Sequence, residues 1–343
     1  MGIAIQLGLL TSLAFVIAWL VAAWVIGQAA RLGLVQEPNH RSSHDRPTPG
    51  GGGLGIVLAG LIAGTIVMAM SPDGGLGLVL IAGVPLAVAG LLDDIRPLSA
   101  GLRLLIQFLA VLALFGPVFA HDLSATGLIA LLAMMLAGLW WINLFNFMDG
   151  IDGLAAGQAV FMLLGGAGLA AIAEAALPDS PAWRLLPPLA GACLGFLLLN
   201  RPPARVFMGD VGSLWLAFMI LALASVGIRD SGVQPAAWIV LAAVFVTDAS
   251  VTLLTRMLRG ERWTQAHRSH AYQRLARRWQ GADKRGHRRV TRAVLIIDTA
   301  WLLPLAVACQ TWPAWRGLWL ALAYAPLLLV AIRVGAGRDS NAA

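Results

Sequence analysis

Charge is scarce in this chain: only 12% of its 343 residues are charged, 59% are hydrophobic, and the mean hydropathy is +0.79. This composition excludes a water-soluble globular domain. Apolar runs of about 18–24 residues are long enough to cross a ~30 Å hydrocarbon core as α-helices, and long unbroken runs favour helices over a β-barrel. The sequence therefore predicts an all-α, polytopic membrane protein.

Cysteines are few, and strong internal repeats and linkers are missing. Cys193 and Cys309 are the only two cysteines and both lie in apolar runs, which argues against a disulfide framework or a cysteine-based metal motif. No stretch has the composition of a flexible linker, so a single integral-membrane domain is expected over 1–343. The first apolar run has no positive leader and no small-residue cleavage site, so it is interpreted as a span rather than a signal peptide.

Eleven apolar runs are interpreted as membrane spans. Their approximate bounds are 5–28, 53–70, 76–92, 103–120, 127–145, 154–176, 185–199, 212–228, 234–255, 290–309 and 317–333. When the loops alternate between the two sides, one side holds only Arg184, Arg229 and Arg316 of the 24 lysines and arginines. The other side holds the rest, including a basic loop at about 256–290. The positive-inside rule makes this basic side cytoplasmic.

Five carboxylates interrupt the apolar sequence at helix ends on the predicted cytoplasmic side. They are Asp93 and Asp94 in GLLDDIRP, Asp149 and Asp152 in NLFNFMDGIDGL, and Asp210 in RPPARVFMGDVGSLW. Helix capping is the alternative for the last three, and charge balance by Arg96 and Arg103 is the alternative for the first pair. At helix ends, rather than at the bilayer centre, these carboxylates are accessible to water or substrate.

Cationic and imidazole side chains are predicted on the same side. The HRSH sequence at 267–270 is suited to hold a phosphate, whereas a zinc site would require a further cysteine or histidine nearby. Downstream, Tyr272, Leu275 and Trp279 predict the apolar stripe of a short interfacial helix whose arginines attract anionic headgroups. Nucleic acid is not expected as a partner, because the basic patch faces a membrane surface.

The glycine run 50–53 and the buried Asp248 each allow more than one interpretation. The glycine run 50–53 lacks the preceding strand of a nucleotide-binding loop, and it is interpreted as a flexible, close-packed start of the second span. Asp248 lies within the ninth span, where it either pairs with Thr252 or Arg256 or has a role in the site.

The donor chemistry favours Mg²⁺ or Mn²⁺ over zinc, because five carboxylates and few neutral ligands make a hard-oxygen site. A divalent ion beside arginine and histidine is the arrangement that phosphoryl transfer uses, which indicates a metal-dependent transferase at the membrane surface. A secondary transporter with a carboxylate-lined cavity is the alternative, although it would place ionisable groups near the midplane, usually within repeats. An intramembrane aspartyl protease would leave most of the carboxylates unused.

Four segments together resemble the motif set of the polyprenyl-phosphate N-acetylhexosamine-1-phosphate transferases: LLDD (91–94), LFNFMDGIDGLAAG (144–157), FMGDVGSLW (207–215) and HRSH (267–270). The resemblance implies Mg²⁺-dependent transfer of a sugar 1-phosphate from a UDP-N-acetylhexosamine to undecaprenyl phosphate, with release of UMP. It also implies that this reaction starts the synthesis of O-antigen or a similar polysaccharide, and that it takes place at the cytoplasmic face of the bacterial inner membrane. Membrane lipids are expected partners, and a homodimer is an open alternative to a monomer.

The resemblance also implies roles for individual residues. The metal ligand is Asp210; the catalytic residues are Asp93, Asp94, Asp149, His267 and His270; the substrate-binding residues are Gly150, Asp152, Asn200, Phe207, Arg268 and Arg46. Whether Asp93 or Asp94 acts as a base stays open. HRSH stands where the peptidoglycan enzymes carry consecutive histidines, which favours the O-antigen-initiating branch and a simple UDP-N-acetyl sugar as donor.

Overall fold

The computed structural model describes residues 2–37, 47–71, 75–120, 124–174, 180–261, 267–281 and 285–338. In chain order the helices are α1 (Ile3–Leu32), α2 (Leu54–Met70), α3 (Leu76–Ile95), α4 (Ala100–Phe119), α5 (Ala125–Met148), α6 (Leu154–Glu174), α7 (Pro181–Asn200), α8 (Gly209–Asp230), α9 (Pro235–Leu241), α10 (Ala243–Leu258), α11 (Ala271–Arg278), α12 (Gly286–Ile297), α13 (Leu303–Thr311) and α14 (Arg316–Val334). The strands are β1 (Val35–Gln36) and β2 (Thr48–Pro49), which pair antiparallel.

Nine helical segments in the described ranges are long and apolar enough to cross a membrane. Two of them are composite: a π-helical turn at Asp298–Leu302 joins α12 to α13, and a 3₁₀ turn at Pro313–Trp315 precedes α14. α9 and α10 make a further span that bends by 70°, and α2 is an apolar helix of 17 residues. These helices account for all eleven predicted runs and confirm the all-α, polytopic membrane fold.

Small residues let α1 pack closely on α7. A side chain on Gly191 or Gly195 of α7 would overlap the backbone carbonyls of Thr11 and Phe15, and Ala18 of α1 is fully buried. Lipid tails are as apolar as leucine, so close backbone contact contributes more to helix association in a membrane than burial of large apolar side chains. Cys193 lies in this interior and, like Cys309, is a free thiol, as the sequence predicts.

α8 is the central helix of the bundle. Trp215 and Phe218 on α8 are fully buried, and a side chain on Gly60 of α2 or Gly83 of α3 would overlap the Trp215 ring. Near the first turn of α8, a side chain on Gly90 of α3 would overlap the backbone of Asp210. The glycines of α2 and α3 therefore set how closely the neighbouring helices approach α8.

The glycine run 50–53 packs against the loop that leads into α8. The backbone N–H groups of Gly52 and Gly53 donate to the carbonyls of Phe207 and Met208, each at 2.9 Å. The N–H of Phe207 in turn donates to the Pro49 carbonyl at 2.8 Å, and a side chain on Gly53 would overlap Gly212. The run is thus a close-packed start of a span, and it holds the Phe207 loop in position.

Candidate active site

The end of α3 meets the start of α8 through one carboxylate. Asp94 accepts backbone hydrogen bonds from Asp210 at 2.9 Å and from Val211 at 3.1 Å. The first N–H groups of a helix lack intrahelical partners and attract negative charge, so Asp94 caps α8 from a neighbouring helix. Gly209 has φ of 73°, and a side chain there would overlap the Asp94 carboxylate. Asp210 itself lies in the first turn of α8 rather than before it.

Arg103, at the start of α4, lies between two carboxylates. Its Nη1 donates to Asp93 Oδ2 at 2.8 Å and lies 3.6 Å from Asp210 Oδ2. The other oxygen of Asp93 accepts the N–H of Leu98 at 2.5 Å. Asp93 is interpreted from the sequence either as a site carboxylate or as a helix-end charge balanced by arginine, and the structure shows the charge balance by Arg103. Arg103 also links Asp93 to Asp210.

The two asparagines of the NLFNFMDGIDGL motif have different partners. Asn146 donates from Nδ2 to Asp210 Oδ1 and to Ser213 Oγ, both at 2.9 Å. Asn143 instead donates to Gln107 Oε1 of α4 at 2.7 Å, an interhelical contact within the bundle. Of these two asparagines, Asn146 is therefore the one that contacts a predicted site carboxylate, Asp210.

Asp149 follows the last residue of α5 and lies among like charges. Burial raises the pKa of its carboxyl well above the usual value of 3.8, and the negative charges of Asp210, Asp94 and Asp152 raise it further. Carboxylates that are this close repel one another unless a proton or a cation offsets the charge. The cluster formed by Asp94, Asp149 and Asp210 is hereafter the acidic cluster.

Asp152 is engaged by the loop and helix beside it. Its Oδ2 accepts the N–H of Ala204 at 3.0 Å, and its Oδ1 lies 3.2 Å from His287 Nδ1. The backbone carbonyl of Asp152 accepts the Thr291 hydroxyl at 2.9 Å. Asp152 therefore joins the MDGIDG segment to the loop before α8 and to the first turns of α12, a connection that the sequence pattern did not reveal.

Asn200 holds the same two segments together. Its Oδ1 accepts the N–H of Gly153 at 3.0 Å, and its Nδ2 donates to the Val206 carbonyl at 2.8 Å. The adjacent Phe207 is half-buried. These contacts fix the shape of the loop that carries Phe207 to Asp210, so a change at Asn200 alters the loop as well as any pocket beside it.

The histidine motif is anchored by Asp248 of α10. His270 is buried, and its Nδ1 lies 3.3 Å from Asp248 Oδ1. The predicted pairing of Asp248 with Thr252 is confirmed at 3.1 Å. His267 stacks on His270 with ring centroids 4.9 Å apart. Burial, and then the neighbouring His270 and Arg256, lower the pKa of His267 to about 3, so its imidazole is neutral at neutral pH.

The interpretation of Tyr272 as part of a lipid-facing stripe is wrong. Tyr272 is buried, its hydroxyl donates to the Phe147 carbonyl at 2.9 Å, and a side chain on Gly150 would overlap that hydroxyl. A tyrosine combines an apolar ring with a polar tip, and here a backbone carbonyl satisfies the tip. Trp279 is partly exposed, at 39%. α11 is therefore packed on the MDGIDG segment and brings the histidine motif with it.

The arginines of α11 also bind protein rather than lipid alone. Arg274 donates from Nε to the Val334 carbonyl at 2.9 Å and from Nη1 to the Arg338 carbonyl at 2.6 Å. These contacts satisfy carbonyls at the end of α14. Arg277 donates to the backbone carbonyl of Arg268. Arg268 itself is exposed. Arg46 lies outside the described residues.

The acidic cluster suits a hard cation that is shared with a substrate. Among the residues that the structure describes, no three His, Cys, Asp or Glu side chains converge tightly enough to hold a metal unaided. Within the acidic cluster, Asp94 caps α8, whereas Asp210 and Asp149 have no backbone capping contact of this kind in the described part of the chain and are the candidate ligands. Mg²⁺ is commonly bound by one or two carboxylates plus substrate phosphates and water, so this donor set fits it.

Comparison with known proteins places these residues in a family. Residues 76–228 match the family model described as glycosyl transferase family 4. A Bacillus subtilis protein named as a probable undecaprenyl-phosphate N-acetylglucosaminyl 1-phosphate transferase is 30% identical, with 72% of this chain and 71% of that protein covered. A Mycolicibacterium smegmatis decaprenyl-phosphate N-acetylglucosaminephosphotransferase is 30% identical, with 77% and 72% covered.

A second group of relatives carries another name. The phospho-N-acetylmuramoyl-pentapeptide-transferase of Heliobacterium modesticaldum is 32% identical, with 68% of this chain and 78% of that protein covered. The region that matches the family model, residues 76–228, includes the carboxylates of α3, of the MDGIDG segment and of α8.

Proposed function

The chain belongs to glycosyl transferase family 4, and from that premise we propose that it transfers an N-acetylhexosamine 1-phosphate from a UDP-sugar to undecaprenyl phosphate. Phosphosugar transfer onto a polyprenyl phosphate follows from the family membership, whereas the donor, the metal ion and the pathway are our proposal. One observation carries it: Asp94, Asn146 and Arg103 gather around Asp210 where α3, α4, α5 and α8 meet.

In the proposed reaction the two anionic reactants meet beside the acidic cluster. An oxygen of the acceptor phosphate forms a bond to the β-phosphorus of the donor. The bond from that phosphorus to the bridging oxygen of the α-phosphate breaks, and UMP leaves with the electron pair. The acceptor phosphate is already anionic near neutral pH, so Asp93 and Asp94 need not remove a proton. Catalysis of this kind depends mainly on positioning and electrostatic stabilisation.

The chain's own residues have distinct tasks in this proposal. Asp210 and Asp149 would hold Mg²⁺ or Mn²⁺, and the ion would supply positive charge to offset the charge on the phosphate oxygens. Asn146 orients Asp210 through a 2.9 Å hydrogen bond, and Arg103 adds positive charge 3.6 Å from the same carboxylate. His267 and His270 hold the diphosphate of the donor.

The donor pocket lies between the MDGIDG segment and the Phe207 loop in this proposal. Phe207 stacks on the uracil ring, while Asp152 and Asn200 set the separation of the two loops through their contacts with Ala204 and Gly153. Gly150 leaves room for the Tyr272 hydroxyl beside this pocket.

A simple UDP-N-acetyl sugar is the preferred donor. Two of the relatives above are named for N-acetylglucosamine, and HRSH replaces the histidine run of the pentapeptide enzymes. We place the reaction at the cytoplasmic face of the bacterial inner membrane, because the basic residues gather on the side of the acidic cluster. The product begins O-antigen or a similar cell-envelope polysaccharide.

Purified protein tests the proposal directly. The enzyme is supplied with undecaprenyl phosphate, Mg²⁺ and a panel of UDP-N-acetyl sugars, and UMP release is measured. We expect UMP with at least one donor and none without the lipid acceptor. Counterflow of a substrate into proteoliposomes without UMP release would instead support the transporter alternative.

A further inference from the structure

The residues that follow α14 turn back onto the histidine motif. The N–H of Gly337 donates to the backbone carbonyl of Ser269, within HRSH, at 2.9 Å. Gly337 is buried, and a side chain there would overlap the backbone carbonyl of Thr252 in α10. The preceding residue, Ala336, is buried as well. The segment formed by residues 336–338 therefore contacts both α10 and the histidine motif.

The end of α14 does not by itself account for this contact. α14 is terminated by Gly335, which has φ of 80° and whose own N–H bonds back into the helix. The N–H of Gly337 is left over from that arrangement, and it is directed at the histidine motif. Arg274 of α11 also holds the segment, because it donates to the carbonyls of Val334 and Arg338 at 2.9 and 2.6 Å. The 336–338 segment is thus attached to the start of α11 at both ends.

We propose that the 336–338 segment is a positioning element for the donor: it fixes the backbone of the histidine motif so that Arg268 binds the diphosphate of the UDP-sugar. The carbonyl of Arg268 accepts Arg277 Nη2 at 2.9 Å, and the next carbonyl, that of Ser269, accepts the N–H of Gly337. Arg268 is exposed although its backbone is held in this way. A guanidinium is always charged and forms paired hydrogen bonds with phosphate oxygens. The inference rests on the proposed function, in which the motif lies at that diphosphate.

A positioning role and a purely structural role affect the kinetics differently. If the segment only stabilises the fold, its loss lowers the amount of folded enzyme, and KM for both substrates stays the same. If it places Arg268 at the donor, its loss weakens binding of the UDP-sugar and raises KM for that substrate. KM for undecaprenyl phosphate should not follow, because the segment acts through the histidine motif alone.

Gly337→Ala tests the inference, with Gly335→Ala as the matched control. The two glycines have φ of 76° and 80°, so alanine strains the backbone similarly at either position. At 337 the new methyl group would overlap the Thr252 carbonyl, whereas at 335 the nearest atom is 3.4 Å away, at the tip of Arg274. We expect Gly337→Ala to raise KM for the UDP-sugar roughly tenfold, the scale of one hydrogen bond to a charged group. Gly335→Ala should leave KM for both substrates unchanged.

Hydrogen exchange reports the attachment of the segment without requiring turnover. We expect slow exchange of the Gly337 amide in the wild type, and faster exchange of the first amides of α11 in Gly337→Ala but not in Gly335→Ala. Fast exchange of the Gly337 amide in the wild type would overturn the inference even if Gly337→Ala does not fold.

The kinetic results can overturn the inference independently. A wild-type KM for the UDP-sugar in Gly337→Ala would do so, as would equal increases in Gly337→Ala and Gly335→Ala or equal increases for both substrates. Absence of UMP release by the wild type with every donor would instead count against the proposed function, and hydrogen exchange would still decide whether the segment holds the motif.

Discussion

The carboxylate of Asp94 in α3 accepts the backbone N–H of Asp210 in α8 at 2.9 Å, so one aspartate of the cluster positions another. Asp94 accepts hydrogen bonds from the first free N–H groups of α8, and Asp210 is thereby held near Arg103 and Asn146. The three carboxylates of the acidic cluster are therefore not equivalent. Each carboxylate has a different set of partners, and the following predictions depend on those differences.

Asp210→Asn should abolish Mg²⁺-stimulated UMP release, because the substitution removes the anionic ligand and places an amide near Asn146. We expect a loss of at least about 100-fold, the scale of removing one electrostatic stabiliser from an active site. Ser213→Ala is the control: it removes the other acceptor of Asn146 and leaves Asp210 intact. Normal metal-stimulated turnover by Asp210→Asn would contradict the assignment of the metal ligand.

Gly209→Ala should destabilise the start of α8. At φ of 73° a side chain is strained by about 1–2 kcal/mol, and the new methyl group would overlap the Asp94 carboxylate. Thermal unfolding in detergent should move to lower temperature, and UMP release should fall with it. Gly227→Ala on the same helix meets no atom within 4 Å and should be neutral or slightly stabilising. Equal effects of the two substitutions would refute the argument.

The loss of stability in Gly150→Ala should be partly rescued by Tyr272→Phe, which removes the Tyr272 hydroxyl. The added methyl group would overlap the Tyr272 hydroxyl, and overpacking of this kind costs about 1–3 kcal/mol. Tyr272→Phe alone loses the hydrogen bond to the Phe147 carbonyl, about 0.5–1.5 kcal/mol. The double variant should be less destabilised than the sum of the two single variants. A double-mutant cycle of thermal unfolding measures this coupling, and strict additivity would show that the two sites do not touch.

His267 should make the protein less stable as the pH falls. Its folded pKa of about 3 is below the usual value of 6.5, so on acidification the unfolded chain takes up a proton before the folded one does. Stability therefore decreases as the pH drops from about 6.5 toward 3, and it is restored as the pH rises. Unfolding of wild type and His267→Gln is compared between neutral pH and about pH 4, and the variant should lose less stability. Parallel curves would mean that His267 takes up its proton as readily in the folded state as in the unfolded state.

Some of the acid–base partners could be found from the sequence and others could not. The HRSH motif and the Asp93–Asp94 pair are visible because their residue types are unusual beside apolar runs. His287, by contrast, lies in a strongly basic stretch, where nothing in its neighbours indicates a contact with Asp152, 135 positions earlier. Contacts of this range depend on how the helices pack.

The sequence by itself determined the class of fold, the approximate spans and the family, because a lipid solvent demands long apolar helices and four motifs match together. Only the tertiary structure decided which polar side chains meet. It turned Asp94 into a cap for α8, placed Arg103 between Asp93 and Asp210, and buried Tyr272 where a lipid-facing position was predicted. The physical reason is that hydropathy is a local property, whereas the partner of a buried polar group is set by the packing of helices that are distant in the chain.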